Sequence, residues 1–143
     1  MGITMKRAAA CVGGVTLAVS GTTVTAQAAE PVHIDVDEVF VEGGVSTFTS
    51  TIDGCESGTV VTLRNNVRGS RNFGIFNGFK LFDCGDGSFV VRLQAKFGEF
   101  GSVGTWAITA GDGGFEGLAG SGTLVGTPTD VGINDVYDGT LRP

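Results

Sequence analysis

The sequence predicts an all-β domain, a single antiparallel eight-stranded barrel, and three observations carry that prediction. Apolar and polar residues alternate with a period of two, most clearly over Ser88–Phe97. There Phe89, Val91, Leu93, Ala95 and Phe97 share one face, while Arg92, Gln94 and Lys96 take the other. The 25 glycines fall every few residues, which leaves no long stretch with apolar residues at helical spacing. Eight runs rich in Val, Thr and Phe are bounded by Gly, Asp or Asn turns.

In chain order the predicted strands are Val32–Glu42, Val45–Ile52, Thr59–Asn65, Phe76–Cys84, Ser88–Phe97, Val103–Ala110, Leu118–Gly126 and Ile133–Leu141. The first opens with Val32, Ile34 and Val36 on one face and His33, Asp35 and Asp37 on the other. In the fourth, Phe79 and Leu81 oppose Lys80 and Phe82, and Phe79 and Leu81 are assigned to the interior. In the sixth, Trp106 and Ile108 oppose Thr105, Ala107 and Thr109. Mostly short connections favour an antiparallel meander, and closure of that meander removes the exposed strand edges. The interior expected from these faces is Phe79, Leu81, Phe89, Val91, Leu93, Phe97, Trp106 and Ile108. A barrel of eight strands is just wide enough to be filled by side chains or to hold one small ligand. The sequence is compatible with both.

Upstream of these strands stands an export signal. Lys6 and Arg7 precede an apolar run, Ala8–Val19, and Ala26-Gln27-Ala28 has the small-x-small form that a signal peptidase cuts, with cleavage expected after Ala28. A membrane span needs about 20 apolar residues, and Thr16, Ser20, Thr22 and Thr23 interrupt this run. Cys11 lies inside the run, the wrong place for lipid attachment, and Lys6 stands where a myristoylation signal needs Ser or Thr. The chain thus divides into residues 1–28, a signal peptide, and residues 29–143, one barrel domain delivered to the outside of the cell.

Removing Lys6 and Arg7 takes the formal charge from −6 to about −8. That balance disfavours nucleic acid and anionic membranes, which depend on basic patches to displace counterions. The one basic cluster, Arg64, Arg68 and Arg71, lies in an Asn/Gly/Ser-rich stretch expected to be a solvated loop. Past the signal the cysteines are Cys55 and Cys84, an even pair that predicts a disulfide in an oxidising compartment and not a zinc site.

Two glycine-rich stretches deserve separate reading. Gly111-Asp112-Gly113-Gly114 lies between two strands, so it lacks the strand-to-helix setting in which backbone N–H groups cradle phosphate and is expected to be a turn. The wider segment Gly104–Gly122, with Trp106 and Phe115 in it, resembles the turn segment of the allene oxide cyclase-like β-barrels, which include plant dirigent proteins and secreted actinobacterial proteins. Phe79–Gly87 and Tyr137-Asp138-Gly139-Thr140-Leu141 resemble that group more loosely, and Asp112 stands where its pattern usually has Thr or Ser. The resemblance implies a barrel whose cavity steers reactive or phenolic molecules, and homotrimers or dimers in several members. It places no catalytic acid on this chain. A two-sheet sandwich of the kind that shelters labile chromophores is the competing fold.

Chemistry is sparsely represented. His33 is the sole histidine, so one triad at most could be built, and its neighbours Asp35 and Asp37 read as an exposed polar face more readily than as a metal site. Asp83, Asp86 and Asp112 suit turns, and the acidic loop of a calcium site with its distal Glu is missing. No metal and no cofactor is expected. Two function classes remain: a secreted, non-catalytic barrel binding a small apolar ligand or a surface partner, and a cyclase or isomerase whose apolar pocket fixes the conformation of a polyketide- or lipid-derived substrate. An interior carboxylate with a strongly raised proton affinity separates them, favouring the enzyme, and a dry, wholly apolar lumen counts against it.

Overall fold

The computed structural model describes residue 21, residues 28–70 and residues 72–142, so the predicted signal segment up to residue 27 (apart from Gly21), Arg71 and Pro143 lie outside the described residues. Eight strands follow one another around a closed antiparallel barrel in sequence order. They are β1 (Glu30–Val39), β2 (Thr47–Ser50), β3 (Ser57–Ser70), β4 (Phe73–Asp83), β5 (Gly87–Gly98), β6 (Gly101–Gly113), β7 (Ala119–Pro128) and β8 (Gly132–Arg142). No helix occurs among the described residues. The sandwich alternative is excluded by the β1–β8 ladder, which runs from Glu30 opposite Leu141 to Val39 opposite Gly132 and closes the circuit.

The antiparallel order gives the barrel two unlike ends. One end carries the segment 51–56 and the β4–β5 and β6–β7 turns, and it is closed. Cys55 and Cys84 form the expected disulfide there, joining the segment after β2 to the end of β4. Phe82 and Phe89 stack with ring centroids 5.0 Å apart, Phe48 meets Phe82 edge-on at 5.0 Å, and Phe115 packs against Phe89. Tyr137 and Trp106 continue this cluster upward. The Trp106 indole N–H donates to Thr123 O at 3.0 Å, where Gly122 and Gly139 face each other across β7 and β8. A Cβ on Gly122 would collide with Asp138 O, so these glycines serve close backbone approach in the wall.

The other end, bearing the β1–β2, β3–β4, β5–β6 and β7–β8 connections, is open. Two departures from the expected strands shape it. β2 has only four residues, so above it β1 and β3 have no strand between them. β3 runs on to Ser70 and pairs with β4 as far as Phe73. The stretch holding Arg64 and Arg68 is therefore an exposed strand and not the loop expected from its composition, because its partner strand satisfies the backbone hydrogen bonds that a loop would give to water.

Candidate functional site

The open half of the lumen is a cavity of about 410 Å³, within the range typical of small-molecule sites, about 300–1,000 Å³. Its walls are mainly apolar: Phe76 from β4, Leu93 and Phe97 from β5, Leu124 from β7 and Ile133 from β8. Phe40, just beyond β1, lines the rim. Glu38, Phe40 and Thr62 also line the gap above β2, so the cavity and that lateral groove share a wall.

At its floor lie three charged side chains, all buried: Glu38 on β1, Lys80 on β4 and Asp135 on β8, exposed by 8%, 3% and 4%. Lys80 forms an ion pair with Glu38 and a second one with Asp135, Nζ to Oδ2 3.4 Å. The backbone dictates this meeting. Val32, Ile34 and Val36 point inward on β1, and the same parity delivers Glu38. Tyr137 points inward on β8, and so does Asp135 two residues earlier. Phe82 points inward on β4, and so does Lys80.

Burial governs the electrostatics. Loss of water lowers the affinity of Lys80 for its proton, against the opposing pull of Asp135. It raises the Asp135 carboxyl above its ordinary value, with Lys80 opposing. Tyr137 is pushed well above the usual phenol range, by burial first and by the charge of Asp135 second. Asp135 Oδ1 and Tyr137 Oη have no hydrogen-bond partner among the described residues. A Cβ on Gly126 would strike Ser102 Oγ and Asp135 Oδ1, so the bare backbone of β7 is what leaves room for these two polar groups.

The eight residues assigned to the interior separate into four groups. Leu93 and Phe97 line the cavity. Phe89, Val91 and Trp106 are buried in the packed core, and Ile108 is partly buried against it. Phe79 and Leu81 do not point inward. On β4 the buried positions are Gly74, Gly78, Lys80 and Phe82, and Phe79 instead lies on the outer face with the Arg64 guanidinium 4.5 Å from its ring centre. Both parities of Phe79–Phe82 carry an aromatic residue, and the packing of Phe82 among Phe48, Phe89 and Tyr137 favours its side, with Lys80 finding its ion pairs inside. On the outer wall, His33 Nδ1 lies 2.6 Å from Asp138 Oδ1, and Asn134 Nδ2 donates to Asp35 and Asp37. The turn aspartates cap their own loops, Asp83 accepting from Gly85 N and Asp112 from Gly113 N.

Neither half filled nor wholly hollow describes the lumen uniformly: the aromatic core occupies the disulfide end, and the cavity occupies the other. The residues missed by sequence reasoning are Glu38, Lys80 and Asp135. Extending the inward parity of Val32–Val36 and of Tyr137 by one step finds the two acids. No protein-family model, curated protein or solved structure matches the chain.

Proposed function

We propose that the protein is a secreted β-barrel that holds a small, largely apolar molecule in the open half of its lumen without converting it. The observation that carries this reading is the 410 Å³ cavity with phenyl and aliphatic walls, reached from the barrel mouth. Apolar walls with a few converging polar groups are the usual make-up of a small-molecule site. The likeness to the allene oxide cyclase-like barrels supports the same use of the lumen, and the N-terminal signal pattern supports export. Neutral N-phenyl-1-naphthylamine, which fluoresces in apolar surroundings, tests it. The wild type is expected to enhance its emission saturably, and Ala95→Phe, which fills the cavity from β5, to abolish the enhancement with the circular dichroism unchanged. Equal enhancement by the variant would place the probe elsewhere and overturn the reading.

A second reading, a cyclase or isomerase, is favoured by one observation: Asp135 is a buried carboxyl with a raised proton affinity at the edge of an apolar cavity. Native mass spectrometry of protein recovered from culture medium, followed by chromatography of the released molecule, separates the two. A single compound supports binding; a pair of isomers whose ratio shifts in Asp135→Asn supports catalysis.

A further inference from the structure

We propose that the molecule held in the cavity carries a protonated amine, paired with the Asp135 carboxylate, on an apolar and preferably aromatic body. This rests on the ligand-cavity reading above and adds to it the charge of the head group. Three independent features converge on it.

The first is a charge imbalance. Among the described residues lining the cavity the charged ones are Glu38, Lys80 and Asp135, two acids against one base, so the floor formed by these three, when fully ionised, carries one negative charge beyond what Lys80 offsets. The second is an unsatisfied carboxylate. Lys80 already serves Glu38 and Asp135 Oδ2, whereas Asp135 Oδ1 is buried and unpartnered among the described residues. A buried carboxylate oxygen without a donor is costly, and a ligand N–H⁺ satisfies it with a charge-assisted bond. The third is the wall. Phe40, Phe76 and Phe97 line the same space, and the faces of phenyl rings attract cations; the Lys80 ammonium itself stands 5.9 Å from the Phe76 ring centre. An anionic head group meets the opposite conditions. It would have to displace a carboxylate from Lys80 and leave that carboxylate unpaired inside the barrel.

The test compares three probes of one shape by isothermal titration calorimetry at neutral pH: 1-naphthylmethylamine, 1-naphthalenemethanol and 1-naphthoic acid. The amine is expected to bind at least about tenfold more tightly than the alcohol, the difference between a charged and a neutral donor, and the acid to bind most weakly. In Asp135→Asn the amine should fall to the level of the alcohol while the alcohol still binds, which also shows that the variant is folded. The wild type supplies a second readout that needs no variant. Glu38 on β1, Lys80 on β4 and Tyr137, with Asp135, on β8 are the titratable groups facing the site, and the preference for amine over alcohol should shrink as acid protonates the carboxylates. Equal binding of amine and alcohol, a preference retained by Asp135→Asn, or a preference independent of pH would overturn the amine assignment and leave the cavity reading intact. Failure of all three probes to bind would overturn both.

Discussion

Lys80 Nζ lies 3.4 Å from Asp135 Oδ2, and the two residues come from β4 and β8, which stand opposite each other in the eight-strand circuit. The ion pair therefore crosses the lumen. Together with the pair to Glu38 it forms a polar bar between the aromatic core at the disulfide end and the cavity above. The proton affinities of Lys80 and Asp135 both move against the charged forms, because lost hydration outweighs mutual attraction at each. An arrangement of this kind is a weak source of stability.

Removing the cation alone should be severe. Lys80→Met strands Glu38 and Asp135 in the barrel, and breaking a buried pair in this way costs about 3–5 kcal/mol. Urea unfolding measures it. Replacing all three, as Lys80→Met with Glu38→Leu and Asp135→Leu, should recover most of the loss, since no charge is then left unpaired. A single variant as stable as the wild type would show that the bar is not the buried unit described.

The pH dependence has a definite sign. The Asp135 carboxyl is raised in the fold above its ordinary value of 3.8, so the folded chain holds this proton more tightly than the unfolded one. Its contribution to stability is fully present below the unfolded value and is lost as pH rises through the folded value. Carboxylates held by backbone donors, such as Glu56, run the other way, so the difference between wild type and Asp135→Asn isolates the effect. From pH 3.5 upward, toward neutrality, the wild type should lose stability relative to the variant, followed by urea midpoints. Parallel curves would remove Asp135 from the account.

Local alternation made much of this molecule legible. Phe89 through Phe97 announces both a strand and its inward face, and Val32, Ile34 and Val36 do the same for β1, because a half-buried strand has to segregate its side chains by parity. β4 was ambiguous for a physical reason: Phe79 and Leu81 compete with Phe82, and the charge of Lys80 argues for the solvent face unless a partner awaits inside. That partner is non-local. Glu38, Lys80 and Asp135 meet only because closure brings β1, β4 and β8 around one lumen, and no local pattern encodes closure. The shortness of β2 was hidden in the same way, since Val45–Ile52 is rich enough in Val, Thr, Phe and Ile to read as a full strand.

The two faces of β4 should differ sharply on truncation. Phe82 is fully buried against Phe48, Phe89 and Tyr137, and Phe82→Ala should cost about 3–5 kcal/mol. Phe79 is on the outer wall, half-buried, with the Arg64 guanidinium as its defined partner; Phe79→Ala should cost less, about 1–2 kcal/mol for its partly covered ring and the cation–π contact together. Chemical denaturation of the two variants side by side checks the assignment. The reverse order would restore Phe79 to the interior.

The disulfide and the cavity lie at opposite ends of the barrel, so a change at one should leave the other in place. Cys55 and Cys84 are 29 residues apart, and closing a loop of that length restricts the unfolded chain by about 3–4 kcal/mol on the chain-entropy account. The double variant Cys55→Ala with Cys84→Ala should lose roughly that stability while enhancing N-phenyl-1-naphthylamine emission as the wild type does, because the strands that line the cavity are held by their own ladders and by the ion pairs of Lys80. Thermal unfolding and probe titration of the same sample measure the two effects together. Loss of probe binding in a variant that remains folded would mean that the closed end positions the cavity walls, and that the two halves of the lumen are coupled through the aromatic stack between them.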